Sequence, residues 1–142
     1  TYIARYGMPK TPEDLADHVG IRFKSPLRLG TVGQQLTRGS EHRALRFKRD
    51  IVFSSALSAK SAALIGAGIA PDLGDLHCYR ELARGELVPV LRDWSYPRQD
   101  CYIYTRPDLV KLKRVRTFID EYRANVEPLL AECAEVIRNV ME

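Results

Sequence analysis

Apolar and polar residues alternate with different periods along this chain, and each change of period marks an element. Tyr2 and Tyr6 precede Pro9, after which Thr11-Pro12-Glu13-Asp14 predicts a helix start. Thr11 suits the N-cap, Pro12 the first helical position, and Asp14 the returning carboxylate of a capping box. This helix should end near His18, before Gly20, and bury Leu15. Ile21-Arg22-Phe23 alternates as a short strand does. Residues 25–42 hold no sustained period and read as a loose hairpin, with strands near Leu27–Leu29 and Gln34–Thr37. Alternation returns from Leu45 to Phe53, predicting one strand that ends at Ser54. Ala56, Leu57, Ala59, Ala62, Ala63 and Ile65 then recur at helical spacing, with Ser54 or Ser55 as N-cap and Gly66 and Gly68 as the stop.

The second half repeats the alternation of types. Ile69-Ala70-Pro71 reads as extended, and Asp75–Ala83 as a helix capped by Asp75 with Leu76, Tyr79, Leu82 and Ala83 on one face. Leu87–Leu91 reads as a strand, placed at an edge or bulge by Pro89. Cys101–Tyr104 is a further expected strand. Asp108 should open a helix that turns Leu109, Leu112, Val115, Phe118, Ile119 and Tyr122 inward. A separate last helix, opening near Glu127-Pro128, would carry Val126, Leu129, Leu130, Cys133, Ile137 and Val140. Helices placed between extended runs indicate an α/β fold.

Composition narrows the class. The chain has 142 residues, 45% hydrophobic and 28% charged, with nine Gly and eight Pro, which excludes collagen-like and disordered chains. Three cysteines do not make a disulfide framework. The longest nearly apolar stretch, Ala62 to Pro71, falls far short of the ~20 residues of a membrane span, so a soluble cytoplasmic location and no membrane partner are expected. The chain opens on Thr1 without Met, as a piece of a longer protein would. Net charge is +4, and residues 1–50 hold ten Lys/Arg against five Asp/Glu, densest at Arg43, Arg46, Lys48 and Arg49. Such a stripe reads more readily as a solvated face than as a nucleic-acid contact.

Catalytic and metal signatures are missing. The histidines (His18, His42, His77) and cysteines (Cys78, Cys101, Cys133) show no ligand spacing, and adjacent His77 and Cys78 point about 100° apart on a helix. No metal, cofactor or catalytic residue is therefore expected. Gly66-Ala67-Gly68 follows a helix rather than opening one, so it is read as a helix end and not a phosphate loop. The junction at Ser54-Ser55 is different. A strand delivers two hydroxyls to a helix start, where free backbone N–H groups point outward, and such a corner suits a carboxylate or other small anion. The serines could equally do no more than cap the helix.

The segment Tyr2-Ile3-Ala4-Arg5-Tyr6-Gly7-Met8-Pro9-Lys10-Thr11-Pro12-Glu13-Asp14-Leu15 resembles the "YLARHGxPxTPEDL" run of the effector-binding domain of LysR-type transcriptional regulators. Ser61–Ala70 is similar to that family's "AALAGLGIA", Glu81–Leu91 to its "LASGRLVPVL", and Val115–Asp120 to its closing "VRxFIDFL". Four pieces in order across residues 2–122 carry the resemblance; Pro71–Tyr79 departs from it.

The resemblance implies a periplasmic-binding-protein-like fold of two α/β subdomains, a mixed sheet flanked by helices in each, with the effector between them. This chain would cover the second subdomain at about 10–100, a return toward the first at 101–125, and an extra C-terminal helix at 126–142. DNA binding would belong to an N-terminal helix-turn-helix outside the chain, and the assembly would be a homo-oligomer, dimer or tetramer. Carried over by position, effector contacts would come from Phe23, Ser54, Ser55 and Leu57, with Pro71 at the departing segment. A solute-binding receptor fragment on the same fold is the alternative, and an α/β enzyme using the Cys or His residues a third.

Overall fold

The computed structural model describes residues 2–23, 35–96 and 102–142. Helix α1 (Tyr2–Tyr6) opens the chain. The Tyr2 hydroxyl accepts the Val19 N–H at 2.9 Å and lies 3.3 Å from Nδ1 of buried His18. Pro12–Asp17 follows as a 3-10 helix, in the place where a short helix is expected. Its Asp14 carboxylate accepts the backbone N–H groups of Lys10 (2.8 Å) and Thr11 (2.9 Å), which hold its carboxyl below the usual carboxylate range. Leu15 is buried as expected.

Strands β1 (Val19–Phe23) and β4 (Arg49–Phe53) pair in parallel, from Val19 opposite Arg49 to Phe23 opposite Phe53. On the other side of β1, Ile69 bridges Gly20 in parallel; the Ile69 N–H reaches the Val19 carbonyl at 2.9 Å. Parallel neighbours need a crossover, and α2 (Ala56–Leu64) supplies it between β4 and Ile69. Ala59 and Ala62 of α2 pack on Ile21, with Phe53, Ala63, Ala67 and Ala70 around them. Small side chains allow that close approach. The turn that returns the chain uses Gly66 at φ +78°. Gly68 then lies so near β1 that a Cβ there would meet the Val19 carbonyl oxygen at 2.4 Å.

The second sheet is an antiparallel hairpin of β2 (Gln35–Arg38) and β3 (Glu41–Ala44). Leu15, Leu36 and Leu45 form a core beneath it, joined by Phe47, Ile69, Leu91, Trp94 and Tyr96. Helix α3 (Asp75–Ala83) packs against α4 (Lys113–Met141) and is tied to α2 by the ion pair of Lys60 with Glu81 at 2.9 Å.

Several expectations are corrected. The strand expected at Leu27–Leu29, and Gln34, lie outside the described residues. The strand expected at Gln34–Thr37 is found as Gln35–Arg38 and turns through Gly39-Ser40 onto β3. The single strand expected over Leu45–Phe53 is interrupted at Leu45–Lys48, where the chain leaves the hairpin and Lys48 N–H bonds the His18 carbonyl at 2.9 Å. Asp75 is not the cap of α3: Gly74 is, and Asp75 lies in the first turn. The covered face of α3 is Cys78 and Tyr79, while Leu76 is exposed.

Leu87–Leu91 joins no ladder among the described residues. Pro89 removes a donor there, and Leu91 adopts φ +53°. The pairing moves to Ser95, which bridges Thr37. Cys101 lies outside the described residues, and Tyr102–Tyr104 is not a strand. Asp108 opens no helix and is held by Arg106 at 2.9 Å. The two helices expected after it are one: α4 runs 29 residues with Pro128 inside. Its residues Phe118 and Tyr122, expected inward, are exposed.

Candidate functional site

The ends of three parallel segments meet at one edge of the β1–β4 sheet, and in open α/β sheets that carboxyl edge is where ligands bind. Register places Phe23 directly opposite Phe53, so β1 and β4 end level. Beyond Phe53 the chain turns at once through exposed Ser54 and half-buried Ser55 into α2. Ser55 takes the N-cap position in extended conformation (φ −131°, ψ 132°), yet its side chain makes no cap hydrogen bond. The first backbone bond of α2 runs from Ala59 N–H to the Ser55 carbonyl at 3.1 Å. The N–H groups of residues 56–58 precede it and point out of the helix end. Leu57, 64% exposed, stands beside them. On the far side of β1, Ala70-Pro71 continues from the Ile69 bridge.

A broad open basin of about 1460 Å³ adjoins this edge. Phe23 and Pro71 line it; Ser54, Ser55 and Leu57 do not. The structure thus brings the ends of the central strand β1 and of the Ile69–Pro71 segment into one concavity and leaves the serine corner beside it. The basin also reaches Trp94 and Tyr96.

Three residues at this edge escaped the sequence reading: Arg22, Asp72 and Tyr96. Arg22 alternates with Ile21 and Phe23 as an outward residue would, but it is buried. A buried guanidinium needs a partner, and Asp72 provides it at 2.8 Å. The only hint in the sequence was an acidic residue directly after the strand-end proline, and nothing in it linked positions 50 apart.

Two of the three cysteines, Cys78 and Cys133, lie among the described residues, and both are buried. Burial, with Asp75 and Cys133 nearby, pushes the Cys78 thiol up to about 12, and burial also raises Cys133. Thiols so placed stay protonated near neutrality and are poor nucleophiles. Among the described residues no three His, Cys, Asp or Glu side chains gather as a metal site would, and no helix is long and apolar enough to cross a membrane.

A parallel α/β layer with its strand ends open to a concavity has the geometry of a ligand-binding edge. The family model described as "LysR substrate binding domain" matches residues 1–127. The chain belongs to the LysR substrate-binding domain family, whose fold is periplasmic-binding-protein-like, and the α/β arrangement here is part of that fold. It is 29% identical over 121 residues to the HTH-type transcriptional regulator CrgA of Neisseria meningitidis serogroup C, covering 84% of this chain and 39% of that protein. A putative transcriptional regulator of Pseudomonas aeruginosa is 28% identical over 103 residues, covering 72% of this chain and 33% of its own. The chain spans about two-fifths of the length of the first of these curated relatives and a third of the second.

Proposed function

We propose that this chain is the sensing part of a LysR-type transcriptional regulator and binds a small anionic metabolite, of the carboxylate class, at the Ser54–Ser55 corner. Phe23, Leu57 and Pro71 border the ligand. The observation that carries this reading is the corner itself: β4, ending level with β1, feeds a helix whose N-cap hydroxyl is not spent on capping. Hydroxyl and backbone N–H groups at a helix start favour an anion without a formal positive charge.

Residues 10–100 serve as the second subdomain, 101–125 as the return toward the first, and 126–142 as an additional helix. The exposed Phe118 and Tyr122 stripe of α4, ring centroids 6.2 Å apart, is then surface that the first subdomain covers. Effector binding shifts the placement of the two subdomains, and in a homo-oligomer this repositions helix-turn-helix domains on DNA. The relatives named above are transcriptional regulators, which favours this reading over a solute receptor.

A thermal-shift screen of small organic acids tests it, with Ser54→Ala and Ser55→Ala alongside. The reading expects at least one acid that raises the melting temperature of the unsubstituted chain and loses that effect in the serine variants. Stabilisation indifferent to both substitutions would move the site elsewhere.

A further inference from the structure

Four donors converge on one carboxylate at the strand-end edge. Arg22 Nε donates to Asp72 Oδ2 at 2.8 Å, and the Phe23 N–H joins it on the same oxygen at 3.1 Å. Arg22 Nη2 donates to Oδ1 at 3.3 Å, where the Tyr96 hydroxyl donates at 2.9 Å. The guanidinium and the carboxylate are each largely withdrawn from solvent, with 11% and 14% of their side chains exposed. Donors and acceptor come from separate stretches: Arg22 and Phe23 end β1, Tyr96 follows the Ser95–Thr37 bridge, and Asp72 lies in the turn between Pro71 and α3.

A planar guanidinium with a backbone N–H and a hydroxyl beside it is a fork that fits any carboxylate, not Asp72 alone. We propose that Arg22, the Phe23 N–H and Tyr96 form a carboxylate-binding cradle that the chain's own Asp72 fills, latching the 94–96 segment to the strand end. Because Asp72 is tethered, its effective concentration at the cradle is high, and a free acid competes poorly while the latch is closed. Remove the tethered carboxylate and the donors remain, ready for one from solution.

The meaning of this latch for sensing rests on the effector-binding reading above: a carboxylate ligand that reaches the Phe23 N–H must first displace Asp72. The chemistry itself does not rest on it. An organic-acid screen at Ser54 and Ser55 can fail while the cradle stands, and the converse holds equally.

The test uses the Asp72→Gly variant, with sodium formate as probe and sodium chloride at equal ionic strength and formamide as controls. The melting temperature of the variant should fall by roughly 3–8 °C. Formate should then raise it saturably, and chloride and formamide should not. The unsubstituted chain, its cradle filled, should respond to formate no more than to chloride. So should Asp72→Asn, whose side chain still occupies the space. Adding Arg22→Met to Asp72→Gly should abolish the formate response. If Asp72→Gly does not stay folded, the same comparison is read as refolding yield in formate against chloride. An equal response to chloride, an equal response of the unsubstituted chain, or a formate effect that survives Arg22→Met would each overturn the proposal.

Discussion

Gly68 has no side chain to offer, yet its position decides where Pro71 and Asp72 lie. A Cβ built there falls 2.4 Å from the Val19 carbonyl oxygen and 3.1 Å from the carbonyl carbon, both backbone atoms that cannot swing aside. Gly68→Ala should therefore push Ile69 off β1 and cost about 1–3 kcal/mol, measurable as a lowered midpoint in urea unfolding. The ion pair between Lys60 and Glu81 makes a second, pH-dependent statement. Hydrogen bonding from Lys60 holds the Glu81 carboxyl below its ordinary value of 4.5. A depressed folded-state value stabilises the fold above the unfolded-state value and loses that contribution as pH falls through the folded one. Lys60→Met should lower stability by no more than about 1 kcal/mol at neutral pH. That gap should close on acidification below 4.5, as thermal unfolding at several pH values would record.

Among elements, α4 departs furthest from what its sequence suggests. Glu127-Pro128 resembles a helix start, because proline is well tolerated at a first helical position. The apolar positions tell otherwise: Val115, Ile119, Tyr122, Val126, Leu129, Cys133, Ile137 and Val140 keep steps of three and four across the proline. The helix is continuous through Pro128, which leaves the Ala124 carbonyl without an intrahelical donor. Pro128→Ala should restore that donor and stabilise the chain by about 1–3 kcal/mol, with a higher melting temperature and stronger helical dichroism. An unchanged melting temperature would indicate a helix already broken at residue 127. Opposite in kind is α2, expected from helical spacing alone, whose alanines at 59, 62 and 63 allow a close contact with Ile21. Local composition sufficed there because the packing needs only small residues at helical spacing.

For the molecule as a whole, the sequence conveyed the α/β class, the β1 strand, the β4–α2 corner and the family. It missed how strands change partner. Leu45, Phe47, Ile51 and Phe53 share one alternating set that only Arg49 breaks, but the chain there passes from an antiparallel hairpin to a parallel sheet, and tertiary pairing decides where the strand starts. Of the proposed site, Ser54 and Ser55 follow the end of an extended run, a local signal, whereas Phe23, Leu57 and Pro71 came only from the family resemblance. The Arg22–Asp72–Tyr96 cluster joins positions that are 50 and 24 apart, and no local pattern carries such a pairing. The central claim, an anionic effector seated at the serine corner, is tested most directly by titrating a stabilising organic acid into the isotopically labelled chain and following backbone amide resonances. Saturable shifts should be largest at Ser54, Ser55, Leu57 and Phe23, and reduced by Ser54→Ala and Ser55→Ala. Shifts centred on another surface, or unchanged in both variants, would contradict it.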